Sequence, residues 1–290
     1  MPRNKISPIL PILWGTGHFN SIGLLCEGED MEDRDFTTFI HRIKEQTGID
    51  LSLYKEQQMK RRLTTLRQRR GFDSFQDFYE GMMQDENLFY EFLDRMTINV
   101  SEFWRNPNRW ETLESVFLPQ LMAREKNLKC WSAACSTGEE PYTLAMILAE
   151  KGVLAAARIL ATDIDEGALA KAKQGVYMDR SVREVPASYL QKYFAKSVGT
   201  YRVSDELKNA VRFEKQNMLA DPFESNFDLI ICRNVMIYFT DQAKQMLFHK
   251  FARALKPGGI LFVGSTEQIF SPAQYGLEWA ETFFYRKKRN

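Results

Sequence analysis

From residue 31 to about residue 98 the apolar positions recur every three or four residues, the spacing that gathers side chains onto one face of a helix. Phe36, Phe39, Ile40 and Ile43 make the first stripe, ended by Gly48, and Met59, Leu63 and Leu66 make a second within 52–70. Ser74 opens a third, carrying Phe75, Phe78, Tyr79 and Met82, and Asp85 opens a fourth, carrying Leu88, Phe92, Leu93 and Met96. Both openers are residues that cap helix N-termini. The pattern predicts a small all-helical domain over 31–98. Residues 98–105 link it to the rest of the chain, where Asn106 and Pro107 start a helix buried through Trp110, Leu113 and Phe117.

Beyond residue 128 the pattern changes. Leu128, Cys130 and Trp131 begin a short strand, small residues fill 132–138, and a helix buried through Leu144, Ile147 and Leu148 runs to a stop at Lys151-Gly152. Strands are then predicted at 158–163, 211–216, 227–232 and 260–264, and helices at 166–174 and 241–255. Lys256-Pro257-Gly258-Gly259 reads as a turn, and 282–286 as a closing aromatic strand. Such alternation implies a parallel sheet covered on both faces, with ligands beyond the carboxyl ends of its strands. Residues 182–210 break the alternation: 193–196 and 201–203 flank Val198-Gly199-Thr200 and read as a hairpin inserted into the sheet domain.

The stretch 128–142 organises the chain as strand, small-residue loop and helix. Ser136 with Glu139, and Thr137 with Glu140, have capping-box spacing, and Pro141 suits a first helical turn. The loop is close to a dinucleotide fingerprint, but Ala and Ser stand where glycines would, and two acids sit at the helix start. A pyrophosphate would be repelled there. A cofactor with hydroxyls and positive charge but no phosphate fits better, and S-adenosylmethionine is one. Asp163 ends the next strand, 25 positions after Gly138, where a carboxylate can accept both ribose hydroxyls; Asp165 is an alternative or a helix cap. Asn217 and Met218 follow a further strand and are placed to bracket an adenine. Residues 232–239 set Arg233, Asn234 and Tyr238 just past a buried strand, where substrate would meet cofactor. No Asn/Asp-Pro-Pro-Tyr/Phe run occurs, which weighs against methylation of a nucleic-acid amino group.

Composition narrows this picture only in places. With 290 residues, 44% of them apolar, the chain can bury two cores, and its net charge of +1 gives no global case for nucleic acid or an anionic membrane. The segment 52–70 departs from that balance. It carries Lys55, Lys60, Arg61, Arg62, Arg67, Arg69 and Arg70 against Glu56 alone. These residues are expected to face out as a dock for an acidic partner, a protein helix rather than nucleic acid because no exposed aromatics interleave with them. Four cysteines and three histidines are scattered, suggesting neither a zinc site nor disulfides. Residues 6–26 are uncharged but interrupted by Pro8, Pro11, Gly15 and Gly17, so 1–30 reads as a disordered leader, or an extension upstream of a natural start at Met31, rather than a membrane span.

Taken together, 97–105, 131–142, 161–165 and 232–239 resemble the CheR family of chemotaxis receptor glutamate methyltransferases, in order and in spacing, over residues from about 31 to the C-terminus. The resemblance implies an α/β fold of the class I S-adenosylmethionine-dependent type, Rossmann-like with a mostly parallel sheet over 99–290, a preceding all-α domain and an inserted antiparallel subdomain. It implies that Asn99, Ser101, Arg105, Glu140, Asp163, Asn217, Met218, Arg233 and Asn234 line the cofactor site, with Arg105 and Tyr238 nearest the transferred methyl. It implies S-adenosylmethionine as cofactor, S-adenosylhomocysteine as product and no metal. The implied substrates are glutamates on the cytoplasmic helices of methyl-accepting chemotaxis receptors, docked in part through Lys55, Arg62 and Arg69. A cytoplasmic monomer recruited to membrane receptor arrays is implied as well, with no membrane insertion and no nucleic-acid partner. The alternative is a methyltransferase acting on RNA or a small molecule, which the basic segment permits.

Overall fold

Four helices come first in the computed structural model, which describes residues 22–289, with side chains from Met31: α1 (Ile22–Thr47), α2 (Glu56–Arg69), α3 (Phe75–Gln84) and α4 (Glu86–Thr97). Most of the expectation for residues 1–30 lies outside the described residues; α1 itself begins at Ile22, ahead of Met31. The Ser74 hydroxyl accepts the Asp77 N–H and the Asp85 carboxylate accepts the Asn87 N–H, so the two caps form as the sequence requires. Phe36, Phe39, Phe75, Phe78 and Phe92 meet in the centre with ring centroids 4.9–6.2 Å apart. Such pairs add about 0.5–1.5 kcal/mol each beyond the area they bury.

The basic segment differs from expectation at one residue. Arg67 is buried: it lies beside the Leu63–Leu66 stripe, donates to the Phe72 and Asp73 carbonyls and sits 4.9 Å from the Phe75 ring. It therefore closes the loop after α2 rather than facing a partner. Lys60, Arg69 and Arg70 are also paired, with Asp33 and, for the two arginines, Glu91. Lys55, Arg61 and Arg62 have no carboxylate within 4 Å among the described residues.

The second domain starts with α5 (Pro107–Thr112), a π-turn and α6 (Leu118–Met122), then β1 (Lys129–Ala133), α7 (Glu139–Glu150), β2 (Arg158–Asp163) and α8 (Glu166–Gln174). A small subdomain holds β3 (Val176–Met178), α9 (Ala187–Tyr193), β4 (Phe194–Ser197) and β5 (Thr200–Val203). After α10 (Asp205–Ala210) come β6 (Val211–Lys215), β7 (Phe227–Cys232), α11 (Asp241–Ala254), β8 (Leu255–Val263), β9 (Leu277–Glu281) and β10 (Phe284–Lys287). The large sheet has the order β6-β2-β1-β7-β8-β10-β9. Its first five strands are parallel, and β10 pairs antiparallel with both β8 and β9. The order reverses between β1 and β7, so the crevice beyond their carboxyl ends is where this architecture takes a ligand.

Three boundaries depart from the sequence reading. The inserted sheet has three strands, β3-β5-β4, and so begins at Val176 rather than 182. β3 is three residues long and comes directly after Gly175, too short to show an alternation. β8 runs through the predicted turn at 256–259: its register with β7 slips between Phe227, paired with Leu255, and Leu229, paired with Ile260. The extra residues bulge out, which Gly259 permits because a Cβ there would lie 2.9 Å from the Lys256 and Phe227 carbonyls. β9 is an edge strand with only Leu277 fully buried, so it carries no apolar signature.

The two domains share a core. Phe36, Phe92 and Met96 belong to one hydrophobic cluster with Trp131, Leu160, Met218, Phe239 and Phe251. They also share backbone bonds: Tyr54 bridges Phe239 in antiparallel fashion, Lys55 N–H donates to the Tyr238 carbonyl at 2.8 Å, and Thr240 N–H donates to the Leu53 carbonyl at 2.9 Å.

Candidate functional site

The crevice at the switch point is one continuous cavity. Its walls come from 96–102 and Arg105, from 134–136 after β1, from Glu140 in α7, from Asp163 and Ile164 after β2, from 216–219 after β6, and from 233–235, Tyr238 and Phe239 after β7, with Tyr54 from the helical domain. Asn99, Ser101, Arg105, Glu140, Asp163, Asn217, Met218, Arg233, Asn234 and Tyr238 all line it. Lys55, Arg62 and Arg69 do not, but the Arg62 guanidinium lies 5.1 Å from the centre of the Tyr238 ring, so α2 overlies the cavity's Tyr238 end.

The backbone around this cavity is strained. Eight non-glycine residues have positive φ among the described residues, and Ile98, Ala134, Ser136 and Asn234 of these line the cavity. Left-handed conformations cost of order 1–3 kcal/mol each and persist only where surroundings over-determine them. Ile98 is the most demanding, being β-branched at φ 49°.

At the strand end, Asp163 is buried and holds two backbone amides: Ser136 N–H donates to Oδ2 at 2.8 Å and Asp165 N–H to Oδ1 at 3.0 Å. Burial pushes its carboxyl up to about 6, against those hydrogen bonds, which favour the ionised form. Asp165 is the helix cap, accepting Ala168 N–H, and its other oxygen accepts Asn99 Nδ2 at 2.7 Å. That bond fixes the 97–101 segment against β2. The Asn217 side chain closes its own loop, its oxygen accepting Leu219 N–H and its nitrogen reaching the Gly48 carbonyl at 3.4 Å, while the residue lines the cavity.

The expected capping boxes do not form. Gly138, at φ 92°, is the N-cap of α7, and a Cβ there would lie 2.8 Å from Ala172 Cβ. The four side chains have nearer partners: Ser136 donates to Asn99 Oδ1, Thr137 to Glu139 Oε2, and Glu140 accepts from Ser132 at 2.8 Å. α7 is also buried from Pro141 through Leu148 rather than along one face, because it lies between the sheet and α10.

Glu140 and Arg233 form the charged centre. Arg233 Nη1 stands 3.7 Å from Glu140 Oε2, and Nη2 donates at 2.8 Å both to the Arg105 carbonyl and to Asn106 Oδ1. Burial pushes Glu140 up to about 7, opposed by Arg233 and the Ser132 hydrogen bond. Arg105 is held by a 3.1 Å bond from Nη1 to the Val100 carbonyl. The sequence reading missed Tyr54 and Trp110 in the lining, and Glu267, whose buried carboxylate accepts backbone amides of the 234–236 loop. Tyr54 and Glu267 carry no local signal, since they come from distant elements, and Trp110 reads in the sequence only as a buried helix residue.

The lining fits S-adenosylmethionine. Three carboxylates, Glu102, Glu140 and Asp163, line the cavity, which suits a ligand carrying positive charge and hydroxyls, and acids occupy the helix start that a phosphate would need. Arg233 Nε and Trp110 Nε1 are buried in the lining without an acceptor, a demand that a ligand carboxylate satisfies. Among the described residues, no cluster of three or more His, Cys, Asp or Glu is arranged to hold a metal ion, and no helix is long and apolar enough to cross a membrane.

Comparison with known proteins agrees on the family. The family model described as "CheR methyltransferase, SAM binding domain" matches residues 99–282, and "CheR methyltransferase, all-alpha domain" matches 34–97. A chemotaxis protein methyltransferase of Listeria monocytogenes is 41% identical over 256 residues, covering 88% of this chain and 98% of the relative. Those of Borreliella burgdorferi and Escherichia coli are 33% and 32% identical, covering 83% and 82% of this chain and 89% and 86% of theirs.

Proposed function

The chain belongs to the CheR methyltransferase family and is an S-adenosylmethionine-dependent methyltransferase, and from that premise we propose that it esterifies glutamate side chains on the cytoplasmic helices of methyl-accepting chemotaxis receptors. The observation that carries this reading is Arg62 over Tyr238: the Tyr238 end of the cavity, read as the acceptor end, lies beneath a stretch in which Lys55, Arg61 and Arg62 have no carboxylate partner. An acidic helix drawn to Lys55, Arg61 and Arg62 delivers its carboxylates to that end.

A solvated glutamate, pKa about 4.3, is ionised at neutral pH and needs no general base. Among the described residues no histidine lines the cavity, which is consistent with that. When bound, S-adenosylmethionine supplies an electrophilic methyl and leaves as S-adenosylhomocysteine. The protein's part is placement: Asp163 accepts ribose hydroxyls, Glu140 and Arg233 hold the charged amino-acid end, and Met218 packs against the base. Arg105 orients the incoming carboxylate through a bidentate pair, and Tyr238 walls the acceptor. Since the charges of nucleophile and electrophile cancel, alignment and exclusion of water supply most of the acceleration. The protein acts as a cytoplasmic monomer, recruited to receptor arrays by its substrate.

The test is transfer of labelled methyl from S-adenosylmethionine to a receptor cytoplasmic fragment. Release of the label as methanol by mild alkali is expected, because carboxyl methyl esters are alkali-labile. Alkali-stable label, or transfer to RNA instead, would remove the proposal.

A further inference from the structure

Glu267 is a buried carboxylate that none of these steps uses. It lies just past β8, is 4% exposed and does not line the cavity. Its Oε2 accepts Asn234 N–H at 2.7 Å and Gly264 N–H at 2.8 Å; its Oε1 accepts Val235 N–H at 2.8 Å and Met236 N–H at 2.7 Å. An ionised carboxylate has about four acceptor positions, and here the backbone fills them. The oxygens are therefore unavailable for proton transfer. What they do is grip three consecutive amides of one loop and one amide of the next, where β7 and β8 end side by side at Cys232 and Val263.

The seat is built for this residue. Gly264 leaves room that a Cβ would fill, since a Cβ there would overlap Glu267 Oε2 and lie 2.9 Å from Asn234 N. The gripped loop is also the one that most needs holding. Asn234 sits at φ 61°, and the residues after it carry Tyr238 into the cavity wall. Charge-assisted bonds in a buried setting are about twice as strong as neutral ones, enough to offset one left-handed residue.

We propose that Glu267 is a positioning residue for methyl transfer, its carboxylate fixing the backbone at 234–236 and thereby placing Asn234 against the cofactor and Tyr238 against the acceptor. This rests on the methyl-transfer reading of the cavity. Misplacement on the order of 1 Å costs about 100-fold in rate, so the effect belongs in turnover. Glu267 makes its hydrogen bonds to 234–236 and Gly264 and none to α2, so docking of the acceptor through the basic residues is expected to change far less than turnover.

The experiment compares wild type with Glu267→Gln and Glu267→Asp. Gln offers one carbonyl oxygen and sets an NH2 against the remaining amides; Asp keeps the charge one methylene short. Turnover and KM for a receptor fragment are measured beside cofactor Kd by calorimetry and the folded fraction by circular dichroism. For folded Glu267→Gln, kcat is expected to fall on the order of 100-fold and cofactor affinity about tenfold, with receptor KM within about twofold of wild type and Glu267→Asp in between. Wild-type kcat per folded molecule overturns the proposal, as does a loss that tracks only the unfolded fraction. If neither variant folds, hydrogen exchange of the wild-type protein decides: slow exchange at 234–236 supports the grip, and exchange at the rate of a free loop overturns it. Wild type that binds cofactor but methylates no receptor fragment sinks the substrate reading alone, because calorimetry and exchange still test Glu267.

Discussion

At one end of the cavity, Asp163 is the last residue of β2, a strand paired along five residues with β1 and along five with β6. At the other, Arg233, Asn234 and Tyr238 ride on a loop beyond β7, held by Glu267, by the Arg105 carbonyl and by the bridge from Tyr54 to Phe239. The strand end inherits its precision from sheet register. The loop end obtains it from buried charges that bind backbone. The first arrangement suits a cofactor whose shape is constant; the second places reactive groups where an extended partner has to be admitted.

Perturbations should therefore separate the two ends, and the largest effect is expected at the loop end. If Arg105 orients the acceptor as proposed, Arg105→Ala should lower kcat on the order of 100-fold with cofactor Kd changed far less. Steady-state kinetics beside calorimetry will tell, and equal activity of variant and wild type would remove Arg105 from the mechanism. Asp163→Asn should do the reverse, weakening cofactor binding roughly 30-fold through loss of charge-assisted bonds, while saturating cofactor restores much of the turnover.

Acidification comes next in size. Glu140, raised to about 7 by burial, and Asp163, raised to about 6 by burial, both protonate as pH falls through those values, and a cationic ligand needs them ionised. Cofactor Kd should rise roughly tenfold between about pH 8 and about pH 6. The stability of the cofactor-free protein should run opposite to that affinity. A carboxyl with a raised folded pKa binds more protons folded than unfolded, so its stabilising contribution is lost as pH rises through the same window. Both Kd and melting temperature are thus expected to fall as pH rises, and parallel titrations in which they slope in opposite directions would contradict both assignments. The smallest effect should come from Arg61→Glu with Arg62→Glu, raising receptor KM about fivefold at low salt and less at high salt, with cofactor Kd unchanged.

The same contrast explains what could be read from the sequence. Asp163, the 227–232 strand and the helical stripes announce themselves through period and spacing, because local pattern dictates them. Glu267 does not, since it acts on backbone more than thirty positions earlier and nothing beside it marks the seat except Gly264. The capping boxes were legible but wrong, because Asn99 and Ser132 compete for the same side chains once the chain is folded. Arg67 shows the same limit: seven basic residues in one segment read as an outward-facing dock, yet one of them closes a loop.

The backbone bridge between 53–55 and 238–240 bears on how this architecture can be inherited. A helical domain joined only by a linker is a portable module, free to be lost or exchanged between genes. Here it contributes Tyr54 to the cavity wall and two hydrogen bonds to the loop bearing Tyr238, so a chain cut near residue 98 loses one side of the cavity along with the basic helix α2. The two domains form a single structural unit, and recombination that separates them is expected to leave neither half with the parent's activity.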